Sequence, residues 1–140
     1  MKSFALLTVM HTGTNSMKAQ ARDLGYDAGH HTKIRRMGRG APNPSGVMYI
    51  GHAFKEVYER VESALLLVTL SRPYEEIEAS WRRRGKSLEP LKVQYRLWRQ
   101  DIRPKAIVID LHEPARGLMA LSEATGSDWG KTLNHHENKS

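Results

Sequence analysis

Residues Phe4-Ala-Leu-Leu-Thr-Val-Met10, followed by His11-Thr-Gly-Thr-Asn-Ser-Met17, are typical of a buried strand that runs through a short polar loop into a helix. The first run is apolar and rich in strand-forming residues, which suits a central parallel strand. Met17 and Ala21 then lie one helical turn apart, and Gly25 suits the position after a helix C-terminus. The N–H groups at the start of such a helix favour an anion, and the alternative is an ordinary capped turn.

The rest of the chain alternates between apolar runs and helical patterns. Further strands are predicted at 46–50, 64–70 and 106–111, and amphipathic patterns fill the intervals between them. The order β, α, β, α, β, α, α, β, α, with uninterrupted apolar strands, predicts a three-layer α/β/α fold around a central, mostly parallel sheet. We therefore expect a single α/β domain over residues 1–133 and a polar C-terminal tail over 134–140.

Composition narrows the classes of partner and compartment. Across 140 residues, 22 Lys and Arg face 15 Asp and Glu, so the net charge of +7 favours anionic partners such as a nucleotide, with nucleic acid less favoured. There is no cysteine, which excludes disulfides and cysteine-based metal sites. No apolar run approaches the ~20 residues of a membrane span, so we expect no membrane partner and a cytoplasmic protein.

The segment 26–45 is rich in glycine, histidine and arginine and shows no clear period. It is predicted to be a long loop, or a mobile arm that covers an anionic ligand. His30-His31 has no acidic or histidine partner at ligand spacing, so a metal site there is disfavoured.

The polar loop His11-Thr12-Gly13-Thr14-Asn15-Ser16 resembles the phosphosulfate loop of sulfotransferases. In that family a basic residue, a small residue, a glycine and two hydroxyl residues follow the first strand. His11 departs from the pattern, because the family usually has Lys or Arg there. The loop is not a Walker A loop, since no Gly-Lys follows Gly13.

Two more segments carry the resemblance. The family binds the 3′-phosphate of its sulfuryl donor with a strand-end Arg and a Ser on the next helix, and Arg72 and Ser80 stand at the family's spacing of eight positions. A family strand ends in Lys-Thr-His with a catalytic histidine, and His52 ends the run 47–52, although Ile50 replaces the lysine. Gly126-Ser-Asp-Trp129-Gly-Lys131 is a weaker similarity, and we interpret Trp129 as an anchor to the core.

The resemblance implies transfer of a sulfuryl group from 3′-phosphoadenosine 5′-phosphosulfate (PAPS) to a hydroxyl or amine acceptor that the sequence does not identify. It implies no metal. His52 is the expected base, since a neutral imidazole can accept a proton near neutral pH. His11 takes the place of the leaving-group cation, with Lys18 as a substitute. The remaining donor-binding residues follow from the motifs: Thr12, Gly13, Thr14, Asn15 and Ser16 for the 5′-phosphosulfate, with Arg72 and Ser80 for the 3′-phosphate.

Three alternatives remain open at this point. The first is a protein that binds the donor or its product without turnover, because His11 and the small size of the chain leave catalysis in question. The second is a P-loop kinase, which the missing Gly-Lys disfavours. The third is a nucleic-acid-binding protein, which the lack of a recognisable basic and aromatic motif disfavours.

Overall fold

The structure, a computed structural model, describes residues 1–10, 12–36, 42–61 and 63–133. Within these ranges one sheet contains four parallel strands in the order β2-β1-β3-β4. The strands are β1 (Phe4–Thr8), β2 (Met48–His52), β3 (Leu66–Ser71) and β4 (Ile107–Asp110). The first strand of the chain is therefore central and pairs with a strand on each side.

Helices cover both faces of this sheet. They are α1 (Thr14–Asp23), α2 (Lys55–Val61), α3 (Tyr74–Arg83), α4 (Glu89–Leu97) and α5 (Ala115–Thr125). Helices α1 and α5 share one apolar core with alternate strand residues, and α2, α3 and α4 share the other. Because both faces of the central strands are buried, β1 and β3 are mainly apolar, and Thr8 and Thr69 are their buried polar residues. The prediction of a three-layer α/β fold with a parallel sheet is confirmed.

Helix boundaries follow local chemistry. Gly25 has a φ of +91° and follows the last turn of α1, and Gly126 ends α5 with a φ of +76°. Glycine tolerates this left-handed conformation, which explains both stops. Gly117 in α5 has another role, since a Cβ there would lie 2.4 Å from the Val108 carbonyl oxygen. Its missing side chain lets α5 approach β4 closely.

The segment 26–36 is not the long loop that the sequence predicts. Asp27 forms a parallel bridge with Val47, and Lys33 forms one with Ile50, so the segment runs along the outer edge of β2. It contains two short 3-10 turns, and four of its side chains are buried: Tyr26, Ala28, Thr32 and Ile34. The described part is thus a packed sheet edge, and residues 37–41 of the predicted arm lie outside the described ranges.

Smaller differences concern element ends. The strand predicted at 64–70 begins at Leu66, and the helix that includes Leu88 and Ile102 is continuous but changes form. After α4 it passes through a π turn, Trp98–Ile102, and a 3-10 turn, Arg103–Lys105. Among the helices that the structure describes, none has the length and apolar character needed to cross a bilayer. The predicted tail 134–140 lies outside the described residues.

Candidate anion-binding site

The three sequence motifs meet at the carboxyl edge of the sheet. In the parallel sheet β1 lies between β2 and β3, and Thr8 at the end of β1 is the register partner of His52. Arg72 directly follows β3, the neighbour on the other side. Adjacent strands are ~4.8 Å apart, so the loop after β1 lies between His52 and Arg72. This edge is where ligands bind in open parallel α/β sheets.

The loop after β1 leads into the N-terminus of α1. Gly13 is the N-cap residue, with φ 115° and ψ 35°, and it has no side chain to cap the first N–H groups. Thr14 and Ser16 are half-buried, and Asn15 is exposed. The Thr12 hydroxyl donates to the Val9 carbonyl, so in this conformation it braces the turn. His11 lies outside the described residues.

Two buried side chains hold this loop from the α3 and α4 side. The Met10 N–H donates to Gln94 Oε1 at 3.0 Å, and Trp81 Nε1 donates to the Met10 carbonyl at 3.2 Å. Both side chains are at most 2% exposed. Sequence reasoning missed Gln94. The residue lies at helical spacing between the apolar positions Leu91 and Trp98, which indicates a buried side chain, and a buried amide normally has a hydrogen-bond partner.

Basic groups gather on the β2 side of the loop. Burial, followed by the charges of Lys33 and Arg22, lowers the pKa of Lys18 in α1. Burial, followed by the charges of Lys33 and Arg35, lowers the pKa of His52 to about 4. Burial is the larger cause in both cases, and the neighbouring cations add a repulsion that a bound anion would relieve. We call Lys18, Lys33 and Arg35 the cationic cluster, and His52 lies beside it.

His52 also has an unsatisfied ring nitrogen. Its Nδ1 is buried and finds no hydrogen-bond partner within the described ranges, and the same holds for the Thr8 hydroxyl on the adjacent strand. A pocket of about 50 Å³ next to His52 is lined by Lys33, Arg35 and the apolar side chains of Phe54 and Val57. Buried polar atoms normally have partners, and His52 also lines this pocket, so its imidazole marks a place where a ligand group can bind.

Arg72 lies on the other side of the loop and is already engaged. Its Nε is 3.5 Å from Glu76 Oε1, and Glu76 Oε2 is 2.7 Å from His112 Nε2. The Arg72 side chain is 15% exposed and lines a cavity of about 550 Å³ that also borders Arg103 and Asp110. The cavity has room for a ligand phosphate, which would have to compete with Glu76 for Arg72.

Ser80 is not positioned like the other motif residues. It is 0% exposed, and in the part of the chain that the structure describes its hydroxyl has no hydrogen-bond partner. It lies on the buried face of α3 with Ile77 and Trp81. In this conformation no ligand can contact its hydroxyl, so the structure brings together Gly13–Ser16, Lys18, His52 and Arg72 but leaves Ser80 in the core.

Fold and site together define a three-layer parallel α/β protein with a basic site at the carboxyl edge of its sheet. Among the described residues no group of three or more His, Asp or Glu side chains is placed to hold a metal ion. Comparison with protein-family models, with curated proteins and with solved structures gives no match. The resemblance to sulfotransferases therefore rests on the residues quoted above.

Proposed function

We propose that this protein is a small sulfotransferase-like enzyme that transfers a sulfuryl group from PAPS to a hydroxyl or amine acceptor. The observation that carries the proposal is the strand order. It places the N-terminus of α1, whose N-cap residue Gly13 has no side chain, between a strand that ends in His52 and a strand followed by Arg72. Such an edge offers two separate sets of anion-binding groups, which suits a donor with a phosphosulfate and a 3′-phosphate.

Each end of the donor has its own binding groups in this proposal. The 5′-phosphosulfate lies against the N–H groups of Gly13–Ser16 and the ammonium of Lys18, near the positive end of the α1 dipole. The 3′-phosphate binds to the guanidinium of Arg72, which can form two parallel hydrogen bonds to it. The cavity beside Arg72 supplies the space for the phosphate.

The transfer itself needs positioning and charge stabilisation. The acceptor oxygen or nitrogen attacks the sulfur, and the bond between the sulfur and the bridging phosphate oxygen breaks. The leaving phosphate keeps the electron pair of that bond, and Lys18 with the α1 N-terminus stabilises its charge. The proton of the acceptor passes to His52, which is neutral near pH 7 because its pKa is lowered to about 4.

A second candidate is a protein that binds the nucleotide without turnover. The observation in its favour is the same pKa of about 4, because an imidazole with so low a pKa is a weak base. Its binding groups are those of the first candidate, so only the chemical step separates the two.

Calorimetry with adenosine 3′,5′-bisphosphate (PAP), the product of the transfer, tests binding. We expect the wild-type protein to bind PAP and Arg72→Ala to weaken binding by about tenfold or more, since charged hydrogen bonds are among the strongest. Arg83→Ala is the matched control, because Arg83 is an exposed arginine at the end of α3. Absence of PAP binding by the wild-type protein would exclude both candidates.

Transfer of a radiolabelled sulfuryl group from PAPS to a panel of alcohols, phenols and amines then tests turnover. We expect transfer by the wild-type protein, and we expect His52→Ala to lose it while PAP still binds. Binding without transfer to any acceptor class would favour the protein without turnover.

A further inference from the structure

A stripe of cations runs along the outer face of the long helical stretch that begins with α4. Its members are Lys92, Arg96, Arg99 and Arg103, all exposed and separated by four, three and four positions. This spacing keeps them on one helical face, with a rise of ~4.5–6 Å between neighbours. Of the ion pairs within the described ranges, one touches the stripe, between the exposed groups of Lys92 and Glu89 at 3.5 Å.

Aromatic rings lie next to the stripe. The ring centroids of Tyr74 and Tyr95 are 4.8 Å apart, and Tyr95 also packs against Trp98 at 5.5 Å. The guanidinium of Arg103 lies 5.5 Å from the centroid of Trp98. Tyr95 and Tyr74 are both half-buried, so these rings are held in place and still reach the surface.

Cations and rings together form one groove. A cavity of about 450 Å³ is lined by Tyr74, Lys92, Tyr95, Arg96, Arg99 and Gln100. The two tyrosines also border the cavity of about 550 Å³ beside Arg72. The groove therefore leads from the outer face of α4 to the carboxyl edge of the sheet, and we call it the α4 groove.

We propose that the α4 groove binds single-stranded nucleic acid. The regular cations match a chain of phosphates, and the tyrosines offer rings on which unpaired bases stack. An acidic peptide would use the cations but has no use for the rings, and a duplex keeps its bases stacked inside. The proposal stands on the groove alone and does not depend on sulfuryl transfer.

Fluorescence anisotropy with a labelled oligothymidylate of about 20 nucleotides tests the proposal on the full chain. With four phosphate contacts, the slope of the logarithm of the association constant against the logarithm of the salt concentration is expected to be about −3. Arg96→Gln with Arg99→Gln should bring the slope to about −1.4, because two contacts are lost. Arg83→Gln with Arg84→Gln changes net charge equally away from the groove and should leave the slope unchanged.

Stacking is tested separately. Tyr95→Leu should weaken oligothymidylate binding roughly five- to a hundredfold, and Tyr95→Phe, which keeps the ring, should restore it. Circular dichroism verifies that each variant is folded, and the arginine pairs decide the question if Tyr95→Leu is not.

Three results would overturn the proposal. They are no binding at low salt, equal effects of the two arginine pairs, and binding of a duplex or of oligoglutamate as tightly as the single strand. The last of these results would show that the α4 groove recognises negative charge alone.

Discussion

His52 is the residue whose environment says most about the site. It ends β2 beside Thr8, and the groups that lower its pKa after burial are all cations. A histidine in such a place favours its neutral form, and a bound anion would favour the protonated form. The side chain can therefore respond to the ligand that the cationic cluster attracts.

We expect PAP to raise the pKa of His52 above about 4, because phosphate charge stabilises the imidazolium. The measurement is an NMR titration of the His52 ring protons with and without PAP, with His31 as an internal control. His31 is exposed and pairs with Asp27 at 2.5 Å. An unchanged His52 pKa in a protein saturated with PAP would show that the anion binds away from this strand end.

The same pKa affects stability against acid. Because the folded value of about 4 lies below the ordinary 6.5, the unfolded chain takes up the proton first as pH falls. The contribution of neutral His52 to the free energy of unfolding is complete above pH 6.5 and declines as pH falls from 6.5 towards 4. Urea unfolding should show that His52→Gln, which cannot titrate, loses less stability over this range than the wild-type protein. Parallel losses would contradict the lowered pKa.

Glu76 controls how available Arg72 is to a phosphate. Since its carboxylate is 3.5 Å from Arg72 Nε, we expect Glu76→Gln to tighten PAP binding about two- to fivefold. Glu75→Gln is the matched control, because it removes one exposed carboxylate from the same turn. Calorimetry measures both variants, and an equal gain in each would trace the effect to net charge instead of to Arg72.

At the scale of elements, α3 and α4 act on the site through the backbone. Gln94 and Trp81 bond to the Met10 peptide groups, and Thr69 with Trp98 forms a second buried chain to the Leu7 carbonyl. These bonds fix the end of β1 from one side of the sheet. Helix α1, which follows, packs on the other side of the sheet, and its N-terminus lies at the carboxyl edge.

Gln94→Met should lower the free energy of unfolding by about 1 kcal/mol, because the partly buried Met10 N–H loses its acceptor while the variant also removes the buried Gln94 Nε2, which has no partner among the described residues. It should also weaken PAP binding, since the loop that carries Gly13 is held less firmly. Val93→Ala is the control: Val93 is 64% exposed, and its loss should change stability by no more than about 0.5 kcal/mol. Urea unfolding and calorimetry measure the two effects, and equal losses in both variants would contradict this role of Gln94.

Sequence patterns predicted the strands and helices because each buries a regular set of residues. They missed the edge segment 26–36, whose bridges to Val47 and Ile50 are non-local and whose buried pairs, 26 with 28 and 32 with 34, are separated by glycine and histidine. They placed His52 and Arg72 at one edge because parallel strands end together. They did not reveal that Ser80 is buried, although it lies beside Ile77 and Trp81 on the apolar face.

At the scale of the whole molecule, positive charge is unevenly distributed. The net charge is +7, and two of the regions that carry positive charge are the cationic cluster beside β2 and the stripe on α4. The cluster is partly buried, so its repulsion is poorly screened by salt, whereas the exposed stripe is well screened. Anions should therefore stabilise the fold mainly through the cluster.

We expect sulfate to raise the melting temperature more than chloride at matched ionic strength, because an anion that binds the native state stabilises it by mass action. Sulfate also stabilises proteins through general exclusion from their surfaces, so a specific control is needed. Lys33→Gln with Arg35→Gln should reduce the difference between sulfate and chloride. Arg83→Gln with Arg84→Gln, which changes net charge equally at two arginines outside the cluster, should retain it. Differential scanning fluorimetry provides the comparison, and an equal reduction in both double variants would place the anion effect on net charge and not on the cluster beside His52.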